Sequence, residues 1–349
     1  MKKRNILFIT VLFALSLAAG ACAPQPASEG PETAADQPLQ VTVSVLPQAF
    51  FVERIAGDLV DVNVMVGPGD DAHTYEPKPD QMVALSESVL FFSIGIEYEE
   101  TWLPRFEETN PEMDIIDSAE GITRIMETVP HTHDDDDHAH ETDDHHDDDD
   151  HGNEADDHHD DDDHGHEADD HHDDDDHAHE ADDHHELGFD PHIWLSPSNG
   201  KIIATNIYNA LVAVSPENEA MFTANYEVLV AEIEALDARI TETLSTLTRR
   251  NFMVYHPAWG YFADAYGLTQ LPIQVGGTDP SARELAALID QALEEEISVV
   301  FVQPQFSEAN AQAVAQEIGG SVVKVDPLAY DWLANLETVA DAFARALGN

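Results

Sequence analysis

From Leu39 onward the apolar residues fall into short runs of β-branched residues separated by stretches with helical spacing. Leu39–Val45 (LQVTVSV) and Val60–Val66 (VDVNVMV) read as strands on either side of a helical segment at 50–56. Helical spacing returns over 79–86, and 89–94 is a short buried-strand pattern. After a long polar interval, Pro197–Val214 reads as a helix. Residues 216–250 then form one run of helix formers with no Gly or Pro after Pro216. Its apolar positions Met221, Tyr226, Leu229, Ile233, Leu236, Ile240, Leu244 and Leu247 recur every three or four residues. Such a helix is roughly 50 Å long at 1.5 Å per residue, enough to cross a whole protein. The remainder repeats the first pattern, with strands at 252–255, 271–275, 299–302 and 322–325 and helices at 259–266, 282–296, 308–318 and 333–347. Strands alternating with helices predict an α/β fold with parallel sheets. The expected organisation is an N-terminal α/β lobe over 39–214, a linking helix over 215–250 and a C-terminal α/β lobe over 251–349.

The first residues stand apart from this pattern. A basic start (MKKR), an apolar stretch over 6–19 and the small residues before Cys22 form a signal peptide over 1–21. About fourteen apolar residues are too few for a membrane span. Cys22 is the single cysteine in the chain, so the fold has no intramolecular disulfide to rely on. A cysteine just after such a stretch resembles a bacterial lipoprotein processing site, making Cys22 the expected lipidation point. The Pro-, Ala- and Glu-rich residues of 22–38 read as a tether.

Charge changes the picture next. The net charge is −57, and 29 of the 71 acids fall within 131–186. Outside that stretch 42 acids still face only 14 bases, which argues against nucleic acid or anionic lipid as partners and suits either a protein that handles cations or a saline habitat. The same stretch carries seventeen of the chain's twenty histidines: His131, His133, His138, His140, His145, His146, His151, His158, His159, His164, His166, His171, His172, His177, His179, His184 and His185. Its core is a repeat with a period of 13, DDHHDDDDHGNEA, DDHHDDDDHGHEA and DDHHDDDDHAHEA. With no apolar position beyond Ala it has nothing to bury, so it reads as a loop inserted in the N-lobe, disordered without metal and able to bind zinc loosely.

The three remaining histidines mark a second, compact candidate site. His73 follows the Val60–Val66 strand in GPGDDAHTYEP, His192 lies in DPHIWLSP, and His256 follows the 252–255 strand and precedes Pro257. One loop histidine is more often a hydrogen-bonded surface group than a ligand. Two at strand ends, where α/β folds bind ligands, and a third beside a proline make a shared role the better reading. Three neutral imidazoles leave a dication's charge uncompensated, so a fourth ligand should be a carboxylate. Asp326 in VDPL occupies the same strand-end setting as His256. The resulting set, His73, His192, His256 and Asp326, suits Zn2+ in tetrahedral geometry better than manganese. Glu76 and Asp190 are nearby carboxylates able to orient the imidazoles.

The segments HTYEP, DPHIWLSP, YHPAW and VDPL together resemble the metal-binding proteins of ABC-type zinc and manganese importers, above all the periplasmic zinc-binding components of high-affinity uptake systems. The resemblance runs from about residue 40 to the C-terminus. It implies two Rossmann-like lobes joined by a long rigid helix with the metal in the cleft between them. It also implies ligands at His73, His192, His256 and Asp326, an ABC-transporter permease as partner, and a monomer outside the cytoplasm, in the periplasm or on the outer surface, touching the membrane only through its lipid. Manganese members of the family tend to carry Glu where this chain has His256, and zinc members often carry a His- and acid-rich loop where 131–185 lies. The expected function is therefore capture and delivery of zinc, with no catalysis. A manganese carrier or a surface adhesin of the same family is the alternative. A zinc enzyme is disfavoured because four protein ligands leave no position for a reactive water and no HExxH helix is present.

Overall fold

The computed structural model describes residues 37–128, 188–275 and 277–348. Beyond Pro38 these residues belong to one compact unit, Leu39–Asn349. The signal segment, Cys22, the tether up to residue 36 and the 131–186 tract with its seventeen histidines lie outside the described residues.

The N-lobe is built from β1 (Leu39–Val45), α1 (Leu46–Ala56), β2 (Val60–Val66), α2 (Pro79–Glu87), β3 (Leu90–Ser93), α3 (Glu97–Thr109) and β4 (Asp114–Asp117). Its four strands are all parallel in the order β2-β1-β3-β4, with Val43 opposite Val64 on one side and Phe92 on the other. A central strand covered on both faces needs no polar alternation. Accordingly Val41, Val43 and Val45 are fully buried, and so are Thr42 and Ser44. The two hydroxyls are satisfied by Ser88 and by the Tyr98 phenol, each at 2.7 Å.

Two helices, α4 (Pro197–Val214) and α5 (Glu219–Leu244), lead to the C-lobe. That lobe comprises β5 (Asn251–Val254), α6 (Gly260–Tyr266), β6 (Thr269–Pro272), α7 (Ala282–Glu294), β7 (Val299–Val302), α8 (Glu308–Glu317), β8 (Ser321–Lys324) and α9 (Trp332–Leu347). Its sheet is again parallel and repeats the strand order, β6-β5-β7-β8. Alternation along β5 sends Phe252 and Val254 into a core shared with α5, α9 and the N-lobe, while Met253 joins Val300, Val302 and Val314 in a separate core on the far face.

The linking helix is shorter than the pattern predicts. It covers 26 residues, about 39 Å at 1.5 Å per residue, rather than the whole of 216–250. Pro216–Asn218 forms a separate 3-10 turn before it. At the other end the chain leaves the helix where Ser245, Thr246 and Thr248 accumulate, residues whose hydroxyls and β-branching favour helix ends over interiors. The inward stripe is Phe222, Leu229, Ile233, Leu236, Ile240 and Leu244; Phe222 is fully buried, whereas Met221 is 39 % exposed. The helix packs on α1 and α4 from one lobe and on α9 from the other.

The lobes are also stitched beside the site. The Trp194 indole donates to the Pro327 carbonyl and the Trp332 indole to the Trp194 carbonyl, both at 2.7 Å. Gly200 is required there, because a Cβ on it would lie 2.5 Å from the Trp332 ring.

Candidate metal centre

Three of the four expected ligands come together. His73 lies in the loop after β2, His256 lies two residues past the end of β5, and His192 precedes the 3-10 turn Ile193–Leu195 that opens onto α4. One ring nitrogen from each lies within 4.8 Å of the others. The Nε2 atoms of His73 and His256 are 3.0 Å apart, and the ring centroids are separated by 4.8 to 5.3 Å. Tetrahedral zinc with Zn–N bonds of 2.0–2.1 Å needs nitrogens about 3.3 Å apart, so the rings already converge on that geometry.

The convergence is imposed from behind. His73 Nδ1 pairs with Glu97 Oε2 at 2.9 Å, and His192 Nδ1 with Asp190 Oδ1, also at 2.9 Å. An ionised carboxylate can only accept, so beside one each Nδ1 carries the hydrogen, and in the neutral ring Nε2 keeps its lone pair for a cation. Asp190 is fully buried and packs against Gly260 at the start of α6, where a Cβ would come within 2.2 Å of its Oδ2. The C-lobe histidine is held differently. Its ring stacks on Phe306 with centroids 4.8 Å apart, and its carbonyl accepts the Gln303 side-chain amide at 2.6 Å.

Burial and charge set the protonation of the group. Burial opposes a charge on His73, but the hydrogen bond and charge of Glu97, with Asp71 and Glu127 behind it, outweigh that and raise its pKa. Protonated, His73 donates Nδ1–H to Glu97 and Nε2–H to His256, so a proton sits where a cation would bridge the two rings. Burial, reinforced by His73, pushes His192 down to about 3, and burial with the other two rings holds His256 well below its ordinary value. Burial also raises Asp190 to about 7. The His192–Asp190 pair is thus close to neutral without a metal, and a cation at Nε2 favours the ionised carboxylate.

The three rings line a space of about 20 Å³, closed by Trp194, Phe306, Pro327 and Leu328. That is room for one water-sized occupant. A wider cavity of about 280 Å³ adjoins it, bordered by Asp71, Glu97, Glu127 and Pro191 together with His73 and His256. Glu127 and Pro191 lie on either side of the histidine-rich tract, whose flanks are joined by a bridge between Met126 and Phe189.

Asp326 is near this group but outside it. Its carboxylate is not among the atoms gathered within 4.8 Å; its Oδ1 accepts the Leu328 N–H at 2.9 Å, and the two residues after it line the small space. Of the two carboxylates expected to orient imidazoles, Asp190 does so, whereas Glu76 is exposed and Glu97 holds His73. Glu97 is silent in the sequence. The acid-rich EYEE that opens α3 signals a helix start, but nothing local ties it to His73, 24 positions away. Gln305, equally silent, lines the small space with both amide atoms unpaired.

The family model described as "ZnuA: Zinc-uptake complex component A periplasmic" matches residues 41–346. A solved structure of a zinc-bound ZnuA deletion mutant superposes with a TM-score of 0.70 at 37% identity, covering 89% of this chain and 98% of that one. The high-affinity zinc uptake system protein ZnuA of Bacillus subtilis is 26% identical over 331 residues, 94% of this chain and 89% of its own. The zinc-binding lipoprotein AdcA of Streptococcus pneumoniae is 27% identical over 331 residues; the match spans 56% of that protein, so this chain covers about half of its length.

Proposed function

The chain belongs to the family of the periplasmic zinc-uptake complex component A, and from that premise we propose that it captures zinc outside the cytoplasm and hands it to an ABC-type permease. The observation that carries this reading is the convergence of three imidazole donors on a space for one ion, two of them already fixed by carboxylates. Three nitrogens with a single carboxylate favour zinc over manganese, which prefers more oxygen ligands. His73, His192 and His256 are the ligands, and Asp326 completes the shell from the C-lobe when a cation draws its carboxylate inward. With four protein ligands no coordination position is left for a reactive water, so the site binds and releases rather than catalyses.

The protein acts as a monomer attached to the membrane through lipid on Cys22. The histidine-rich tract scavenges cations and delivers them to the wide cavity. The position of Glu127 and Pro191 on that cavity's wall supports the route. The acids around it raise the local cation concentration.

Calorimetric titration of wild type, His256→Ala and Asp326→Ala with zinc and with manganese tests the reading. One tight zinc per chain is expected, weaker manganese, and a loss of zinc affinity in both variants that exceeds the 10–100-fold typical of a residue behind a ligand. Equal affinity for manganese, or no effect of removing His256, overturns it. No effect of removing Asp326 removes that residue from the set.

A further inference from the structure

The N-lobe imidazoles each rest on a carboxyl group, but His256 does not. Its Nδ1 is buried with no hydrogen-bond partner, and the residue is only 4 % exposed. Gln274, 6 % exposed, lies in the turn after β6 and also leaves a buried atom unpaired, its Oε1. The orientation of that amide is fixed. Nε2 donates to Asp279 Oδ1 at 2.7 Å, and a carboxylate accepts only, so the carbonyl end is the one left over. Asp279 is held in turn by the Tyr255 hydroxyl at 2.8 Å, which accepts from the Asn310 amide at 2.9 Å. The backbone agrees with this placement, because the Gln274 N–H donates to the Tyr255 carbonyl, one residue before His256, at 2.8 Å.

Two buried groups of complementary character therefore stand side by side. A histidine that gives Nε2 to a cation must carry its hydrogen on Nδ1, and a buried N–H needs an acceptor. Gln303 Oε1 and the Gln305 amide are also unpaired nearby, but of these glutamines only Gln274 acts on the His256 ring, so its Oε1 is the acceptor at hand. No hydrogen bond joins the two, but Gln274 is close enough to act on the ring, raising its pKa against the burial that lowers it.

We propose that Gln274 is the positioning residue of His256: on metal capture the ring turns so that Nδ1–H donates to Gln274 Oε1, with Asp279 locking the amide in the required orientation. This rests on the reading of His256 as a zinc ligand. It gives the C-lobe ligand a neutral partner, with the Asp279 charge reaching the ring only through the amide. His256 is consequently the one donor of the three whose ring is held by no charged group.

The test measures zinc affinity by chelator competition and zinc release by stopped flow on the full chain. Gln274→Met keeps the volume and removes the acceptor; it should weaken zinc at least 10-fold, mostly through faster release. Gln274→Glu combined with Asp279→Asn, so that the second glutamate oxygen still meets a donor, should restore wild-type affinity or exceed it, with slower release. Asp279→Asn frees the amide to flip and should lose less than Gln274→Met; it carries the test if that variant does not fold. A slowly exchanging Nδ1–H signal from His256 is expected in the zinc-loaded wild type and absent in Gln274→Met. Wild-type affinity in Gln274→Met, equal losses in Gln274→Met and the double variant, or an unaltered Asp279→Asn where it is the only folded variant, overturns the proposal. If His256→Ala loses zinc while Gln274→Met does not, this inference alone fails; if His256→Ala binds as wild type, the metal-centre reading fails with it.

Discussion

The two lobes have the same strand order and each offers an imidazole from the carboxyl end of its sheet, yet they prepare that imidazole in opposite ways. On the N-lobe side Glu97 and Asp190 hold His73 and His192 by their Nδ1 atoms. On the C-lobe side His256 lies between the Phe306 ring and a set of glutamines, with no carboxylate on its ring. An anion behind an imidazole raises its basicity and fixes its tautomer, at the cost of burying charge. An amide fixes only the tautomer. The N-lobe half therefore holds its rings by carboxyl groups, and the C-lobe half offers a ring with none. Under the proposed capture and release of zinc, that asymmetry would let the C-lobe ligand part from the ion before the two N-lobe donors do.

The largest effect that sharpens this contrast should come from the carboxylates. Asp190→Asn and Glu97→Gln are each expected to weaken zinc 10–100-fold by chelator competition, with the greater loss at Asp190, which is buried where Glu97 is half exposed to water. Absent losses would mean that the carboxylates do not prepare the N-lobe rings, and equal losses that the burial of Asp190 adds nothing. A smaller effect is expected from Gly260→Ala. The added Cβ would fall 2.2 Å from Asp190 Oδ2, so Asp190 must shift and loosen its hold on His192. About 1–3 kcal/mol of stability should be lost by denaturant titration, together with a several-fold loss of zinc. Unchanged zinc binding in a destabilised protein would detach Asp190 from the metal. The smallest effect on the tight site should follow deletion of 131–185: calorimetry should show the weak zinc ions gone and the tight one retained at its original affinity. Loss of the tight ion would mean that the tract and the cleft form one site rather than two.

Much of the frame is legible in the sequence because burial writes itself into the order of residues. Leu39–Val45, Val60–Val66, Pro197–Val214 and Val299–Val302 lie within their predicted bounds, since each is a continuous apolar or amphipathic run. Two elements do not announce themselves. β4 is a four-residue edge strand, DIID, with charges at both ends, and α3 has Pro104 inside it and few apolar positions. The pattern overextends the linking helix because helix-forming residues continue beyond the point where packing stops rewarding them. It also puts Met221 in the buried stripe that Phe222 occupies, an error of one position that only the neighbouring helices resolve.

The site divides in the same way. The isolated histidines can be found from the sequence alone, because a residue type withheld from a whole folded chain and then placed at strand ends is a local signal. Asp190 is also legible, being two residues from the ring it holds. Glu97, Gln274 and Asp279 are not. A hydrogen bond to a ring nitrogen is set by the meeting of loops from different strands, and sequence spacing carries no record of which loops meet. The sequence by itself determined which atoms could take a metal; the tertiary structure decided which three of them point at one another, and which side of each ring is held by charge and which by a neutral amide.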